Sequence, residues 1–347
     1  MELRTLGATG MKVSPLCLGA MMFGKIGNAY HADCERIIHR AIDGGINFID
    51  TADGYSRGES EEIVGSAIKG RRDALIIATK FYATMGDDPN MRGASRGWIR
   101  RAVEDSLRRL GTDYIDLYQL HRWDYDTDIE EVLFTLTDLV REGKIRQFGC
   151  SSFPADRIVE SHWVAEKRGT QRFRCNQPAY SIFARDVERN ILPACKRYGM
   201  GVITFSPLDG GYLSGRYRQP QDLQGDNRIQ RFGKMMGRTI DPNAEAIRRK
   251  LDLVAQLSGL ADGAGMTLPQ LAVAFVTSHP AVTSAIIGPR VMEHLESLLP
   301  AGEIILSDEI LDQIDALVPP GTLLNPLNDM PSGALRSQMR RVPGLAA

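Results

Sequence analysis

The chain has 347 residues, 43% of them apolar and 24% charged, enough for one large α/β domain of ordinary globular composition. A formal net charge of −1 gives no global attraction for nucleic acid or for an anionic membrane. The opening MELRTLGATGMKV lacks a secretion-signal pattern, and no apolar stretch approaches the ~18 residues of a membrane span. Five cysteines (Cys17, Cys34, Cys150, Cys175, Cys195) form no C-x-x-C pair, so neither a disulfide framework nor a thiolate metal site is indicated. A reducing cytoplasm is the expected compartment.

From the N-terminus, RTLGATGMKVSPL reads as a hairpin turning at Ala8–Gly10, placed to plug the floor of the domain. Apolar strand-like runs then recur at 15–20, 46–50, 74–80, 114–121, 145–151, 173–177, 201–206 and 283–288. Most lack polar alternation, as strands covered on both faces do. Between them lie helix-period segments such as 31–45, 95–111, 128–144 and 186–199, with Gly44, Gly111, Gly143 and Gly199 at positions suited to a left-handed C-cap. Eight strands alternating with helices predict a parallel (β/α)8 barrel. Residues 1–320 read as that single domain, 212–243 as a long polar loop after the seventh strand, and 321–347 as a tail that would help complete a pocket. The basic residues Arg336, Arg340 and Arg341 fall in that tail and read as a solvated end.

Several familiar motifs fail. No Gly-x-Gly-x-x-Gly occurs, and GSAIKGRR (65–72) places Arg71 and Arg72 where a phosphate loop needs Lys and Ser/Thr. GASRG (93–97) matches a nucleophile elbow around Ser95, but a turn-like stretch precedes it, so Ser95 reads as a helix N-cap. His31, Glu35 and His39 share a helix face without further ligands, which favours a solvated face over a metal site.

In a parallel barrel, chemistry gathers at the carboxyl ends of the strands. There stand Asp50 after the second run, Lys80 after the third and His121 after the fourth, with Tyr55 one short turn beyond Asp50. Each alone has a bland reading as a cap, a solvated lysine or a strand-end histidine. Together they supply a phenol, an ammonium, a carboxylate to hold it, and an imidazole. A neighbouring Lys⁺ is expected to lower the phenol from its ordinary pKa of about 10. Such a group can give a proton to a carbonyl oxygen while hydride arrives at carbon.

FIDTADGY, IIATKF and DLYQLHRWD, carrying Asp50, Tyr55, Lys80 and His121, resemble the aldo-keto reductase tetrad. LGATGMKVSPLCLGAMMFG, REGKIRQFGCSSF, CNQPAYS, FSPLDGGYLSG and SAIIGPR are similar to other segments of that family, in order along essentially the whole chain. HRWDYDT and the long loop place it nearest the aryl-alcohol dehydrogenase-like and potassium-channel β-like branches. The resemblance implies a nicotinamide dinucleotide lying across the barrel mouth. Gly19, Ala20, Met21 and Asp50 would touch it, and Ser151, Ser152 and Gln177 would hold the carboxamide. Phe205 would stack on the ring, while Ser206, Leu208, Gly210, Leu213, Gly215 and Arg216 would line the pyrophosphate. Gly288 and Arg290 would meet the 2′-phosphate, with His294 near the adenine. A guanidinium suits a bidentate phosphate contact, so NADP(H) is expected over NAD(H).

The function implied is NADPH-dependent reduction of an aldehyde or ketone, with a small-molecule carbonyl as partner and neither nucleic acid nor membrane. The alternative is a channel-subunit-like sensor of NADP redox state with a slow site; the lack of a long extension before MELRTLG argues against a channel-gating role. Phe23, Tyr82, Trp123 and Tyr212 are candidates for an aromatic substrate wall, each equally readable as packing. Asp53 has no role in the resemblance and is expected to make a loop-fixing hydrogen bond.

Overall fold

The N-terminal residues fold back as a hairpin, β1 (Arg4–Thr5) and β2 (Lys12–Val13), joined by a tight turn that ends on left-handed Gly10. Eight parallel strands come next along the chain: β3 (Leu16–Gly19), β4 (Phe48–Asp50), β5 (Ile76–Phe81), β6 (Ile115–Leu120), β7 (Ile145–Ser151), β8 (Cys175–Gln177), β9 (Gly201–Thr204) and β10 (Ser284–Ile287). Each pairs with the next, and β10 returns to β3, closing the barrel. This is the (β/α)8 barrel predicted from the runs. The computed structural model describes residues 1–225, 227–235 and 240–324, so most of the tail, including Arg336, Arg340 and Arg341, lies outside the described residues.

The helices are α1 (His31–Asp43), α2 (Glu59–Ala67), α3 (Arg96–Leu110), α4 (Ile129–Arg141), α5 (Ala155–Arg168), α6 (Ile191–Arg197), α7 (Arg228–Met235), α8 (Glu245–Gly263), α9 (Leu268–Ser278), α10 (Met292–Leu298) and α11 (Asp308–Leu317). Their apolar faces and the outward strand residues form one large core, to which Ile38, Val64, Val103, Leu136 and Leu271 belong. A second, smaller core fills the barrel: Cys17, Phe48, Ala78, Leu117, Cys175, Ile203 and Ile286, closed below by Leu6 and Val13 of the hairpin. The hairpin is the plug expected of it. At Gly7 (φ 51°) a Cβ would stand 2.3 Å from the Gly201 nitrogen, so only glycine lets the plug approach β9 this closely.

Side chains alternate between the two faces of a strand. Two residues beyond the interior Phe48, Ala78, Leu117 and Cys175 stand Asp50, Lys80, Gln119 and Gln177. The barrel thus carries an apolar layer capped by a polar one, at the end opposite the hairpin.

Three expectations need correction. Gly44 has φ −80°, and the left-handed residue after α1 is Gly45 (φ 92°); Gly111, Gly143 and Gly199 are left-handed as expected. The segment 186–199 is two pieces, a 3-10 turn at Asp186–Glu188 and then α6, because Pro193 has no N–H with which to continue a single helix. The polar stretch 212–243 is not all loop: it holds a 3-10 turn at Pro220–Leu223 and the whole of α7. Ser95 caps α3 as read, accepting from the Trp98 amide at 3.4 Å. His31 pairs with Glu59 and His39 reaches the Ala67 carbonyl, so the two histidines turn to different partners. All five cysteines are buried and free.

Candidate active site

Register brings the predicted residues together. Asp50 lies opposite Gly19 on β3 and Ala78 on β5, and Lys80 lies opposite Gln119 on β6. The Lys80 ammonium is fully buried and donates to Asp50 Oδ1, to the Thr51 carbonyl at 2.8 Å and to the Tyr55 hydroxyl at 3.3 Å. The imidazole of His121 meets the Tyr55 ring edge-on, centroids 5.8 Å apart. Sequence-distant residues thus form one cluster at the strand ends.

Electrostatics assign the protonation states. Burial opposes the charge on Lys80, but Asp50 and Tyr55 outweigh it, so its pKa is raised and the ammonium is kept. Burial, helped by the cations Lys80 and Arg122, pushes His121 well below the usual imidazole range, leaving it neutral. Tyr55 departs from expectation. Lys80 pulls its pKa down, yet burial is the larger effect and Asp50 adds to it, so the net shift is upward. The phenol therefore holds its proton at neutral pH, as a proton donor must.

The turn bearing Tyr55 is conformationally costly. Ser56 and Arg57 both have left-handed φ (48° and 57°), a region that ordinary residues avoid. The Ser56 hydroxyl holds the turn by donating to the Phe23 carbonyl at 3.1 Å, while it accepts from the Ile26 amide at 3.1 Å. Asp53 does not make the loop-fixing hydrogen bond expected of it. It is 1% exposed, and neither carboxyl oxygen has a hydrogen-bond partner.

Two polar groups escape the sequence reading. Gln119 donates to Asp50 Oδ2 at 3.1 Å; an amide near the carboxyl end of the fully buried IDLYQL strand is the available signal. Arg122, exposed beside His121, acts electrostatically on Tyr55 and His121.

The residues implied for a cofactor ring the same rim. Gln177 donates to Asp50 Oδ2 at 2.9 Å, and the Ser151 hydroxyl is engaged with the Gln177 carbonyl at 2.9 Å. Ser152, Ser206, Asp209, Gly210 and Gly215 all have positive φ, so these strand-end turns follow left-handed paths. A Cβ on Gly19 would stand 2.5 Å from the Ile286 side chain, whereas a Cβ on Gly288 would meet nothing within 4 Å. Ala20 is buried, its amide donating to the Asp50 carbonyl at 2.8 Å, and Met21 is half-buried. Phe205 is half-buried above the barrel interior, and Leu208 is half-buried; Leu213 is fully buried.

At the far rim, Arg216 donates to His294 Nε2, which leaves the ring proton on Nδ1, 3.5 Å from the Arg290 backbone nitrogen. Burial and the charges of Arg216, Arg290 and Arg228 hold His294 below its ordinary pKa. Neither Arg216 nor Arg290 has an acidic partner among the described residues, so this cationic corner suits a phosphate dianion. Arg228, on α7, is hidden from the sequence reading by its place in an apparent loop.

The proposed aromatic wall divides. Tyr82 is half-buried, with φ 138° immediately after β5. Trp123 is nearly buried, meeting Phe153 and Tyr125 edge-on, with the Arg157 guanidinium 4.9 Å from its ring. Phe23 is fully buried, and Tyr212 is buried under the Lys250 ammonium at 4.5 Å, so both belong to packing rather than to an open wall.

A family model described as "Aldo/keto reductase family" matches residues 15–319. The chain is 36% identical over 330 residues to "Uncharacterized oxidoreductase YrpG" of Bacillus subtilis, covering 92% of this chain and 96% of that protein. It is 35% identical over 324 residues to "Norsolorinic acid reductase B" of Aspergillus parasiticus (89% and 81% covered). It is also 33% identical over 327 residues to "Probable voltage-gated potassium channel subunit beta" of Arabidopsis thaliana (92% and 97% covered). With the barrel, the strand-end cluster and this match along nearly its whole length, the chain belongs to the aldo/keto reductase family.

Proposed function

We propose that the protein is an NADP(H)-dependent reductase of aldehydes or ketones, with Tyr55 as the proton donor. The observation that carries the reading is Lys80, whose one ammonium bridges Asp50 and the Tyr55 hydroxyl while a neutral imidazole stands beside the phenol. A reduced nicotinamide bound across the mouth would supply the hydride. Gln177, Ser151, Ser152 and Phe205 would hold its ring, Arg216 its pyrophosphate, and Arg290 its 2′-phosphate, with His294 near the adenine. Tyr55 gives its proton to the carbonyl oxygen as carbon is reduced, and Lys80 stabilises the phenolate left behind. Asp50, held by Gln119 and Gln177, aims Lys80. His121 places the carbonyl oxygen through a hydrogen bond from its neutral ring. The reverse sequence oxidises the alcohol.

The test is Tyr55→Phe. NADPH binding, followed by nucleotide fluorescence, should be retained while aldehyde turnover falls by about 10²–10⁴-fold. Full activity in this variant overturns the assignment. The channel-subunit relatives favour a second reading, a slow site that reports nicotinamide redox state. Negligible turnover across a broad carbonyl panel, with tight NADPH binding, would favour it.

A further inference from the structure

The turn from Asp50 to Tyr55 crosses the barrel wall. Asp50 faces the interior with Lys80 and Gln119, whereas Thr79 and Tyr118, register partners on the same two strands, face outward beneath α2 and α3. Behind that wall lies a second polar group. Glu61 of α2 is fully buried, accepting from the Thr79 hydroxyl at 2.5 Å and from Arg109 Nε of α3 at 2.7 Å. Asp53 belongs here. Its amide donates to the Lys80 carbonyl at 3.1 Å, its carboxyl oxygens have no partner, and the buried Tyr118 hydroxyl has none either.

The charges do not balance if both acids are ionised. Glu61 and Asp53 share one guanidinium, Arg109, because Lys80 is already committed to Asp50. The groups acting on Asp53 are Glu61 from α2, Arg109 from α3, Lys80 from β5 and the Gly54 amide of its own turn, which is too poorly placed to satisfy either carboxyl oxygen. On β6, burial and then Asp53 and Glu61 push the Tyr118 phenol well up, so it stays neutral beside the acids. An ionised carboxylate without a well-placed donor in such a site is strongly disfavoured; a proton removes the conflict.

We infer that Asp53 is a positioning residue for Tyr55, held as the neutral acid behind the barrel wall, and that the Tyr55 turn keeps its reactive geometry only while that proton is bound. The inference rests on reading Tyr55 as the proton donor. Burial and Glu61 raise Asp53 to about 8, so the proton is present at neutral pH and leaves for solvent in mild alkali. Ionisation then puts a second negative charge, with no cation of its own, beside Glu61, two residues before Tyr55 in a turn already carrying left-handed Ser56 and Arg57.

Two readouts test this in the full-length protein. The first needs no turnover: the thermal midpoint is followed between pH 6 and 9 for the wild type and for Asp53→Asn, which mimics the neutral acid. The wild type should lose stability toward pH 8 and Asp53→Asn should not; parallel curves overturn the inference. The second is kcat against pH with a simple aldehyde and saturating NADPH. The wild type should show an alkaline limb near pH 8 that Asp53→Asn moves upward, while Asp53→Leu should lower kcat at least tenfold with unchanged NADPH affinity. A limb at the same pH in Asp53→Asn, or equal kcat in the Asn and Leu variants, overturns the positioning role. If no carbonyl is turned over at all, the reductase reading fails while the thermal comparison still decides the state of Asp53.

Discussion

The amide nitrogen of Gln119 donates to Asp50 Oδ2 at 3.1 Å, using the carboxylate oxygen that Lys80 leaves free. Both residues are buried, so the bond is made away from water. Replacing Gln119 by Met should cost about 1.5–3 kcal/mol of stability, the usual value of a buried hydrogen bond to a charged group. Denaturant unfolding reads the loss, and kcat should fall with it because Asp50 then aims Lys80 less well. An unchanged kcat would show that Gln177 suffices to hold Asp50.

Lys80 and Asp50 stabilise each other only as a pair. Lys80→Met strands a buried carboxylate and should cost about 3–5 kcal/mol. Adding Asp50→Asn should recover most of that stability without recovering turnover, since Tyr55 then lacks its cation. Urea unfolding and aldehyde reduction, measured on the same samples, separate the two effects.

Acid stability has a different origin. His162 is buried against Tyr198, ring centroids 4.4 Å apart, with Nε2 at 3.3 Å from Met200 Sδ and no partner for Nδ1. Burial, then Arg172 and Arg174, lower its pKa to about 4. The unfolded chain binds this proton more readily, so stability is present above about pH 6.5 and is lost as pH falls toward 4, by about 3 kcal/mol in all. His162→Phe keeps the ring stack and should flatten that part of the stability curve. Equal slopes in the two proteins would exclude His162 as the source.

The cationic corner predicts cofactor choice. Arg290→Ala should raise KM for NADPH by about tenfold or more, the equivalent of one charge-assisted hydrogen bond. KM for NADH should hardly move. Comparable losses with both cofactors would place Arg290 away from the 2′-phosphate.

The barrel is legible because its strands are covered on both faces and so read as unbroken apolar runs, with Asp50, Lys80 and His121 marking where three of them end. What escapes the sequence depends on packing between distant segments. The net rise in the Tyr55 pKa comes from burial, which no local pattern around GYSRG reports. Asp53 looks like an ordinary turn residue because the groups that isolate it, Glu61 and Arg109, arrive on two separate helices. In 212–243, α7 is obscured by the surrounding polar and Gly/Pro-broken chain. Gln119 is visible in its run but stands inconspicuous between apolar neighbours.

The alternation of the strands has an evolutionary consequence. Residues at one parity on β5 and β6 answer to the chemistry of the mouth, and those at the other parity answer to α2 and α3. A one-residue slip in β5 would exchange Thr79 with Lys80 and empty the site at a stroke. Point changes, by contrast, can accumulate in the helical shell largely insulated from catalysis. The turn from 50 to 55 is the breach in that insulation, because it belongs to both sides of the wall.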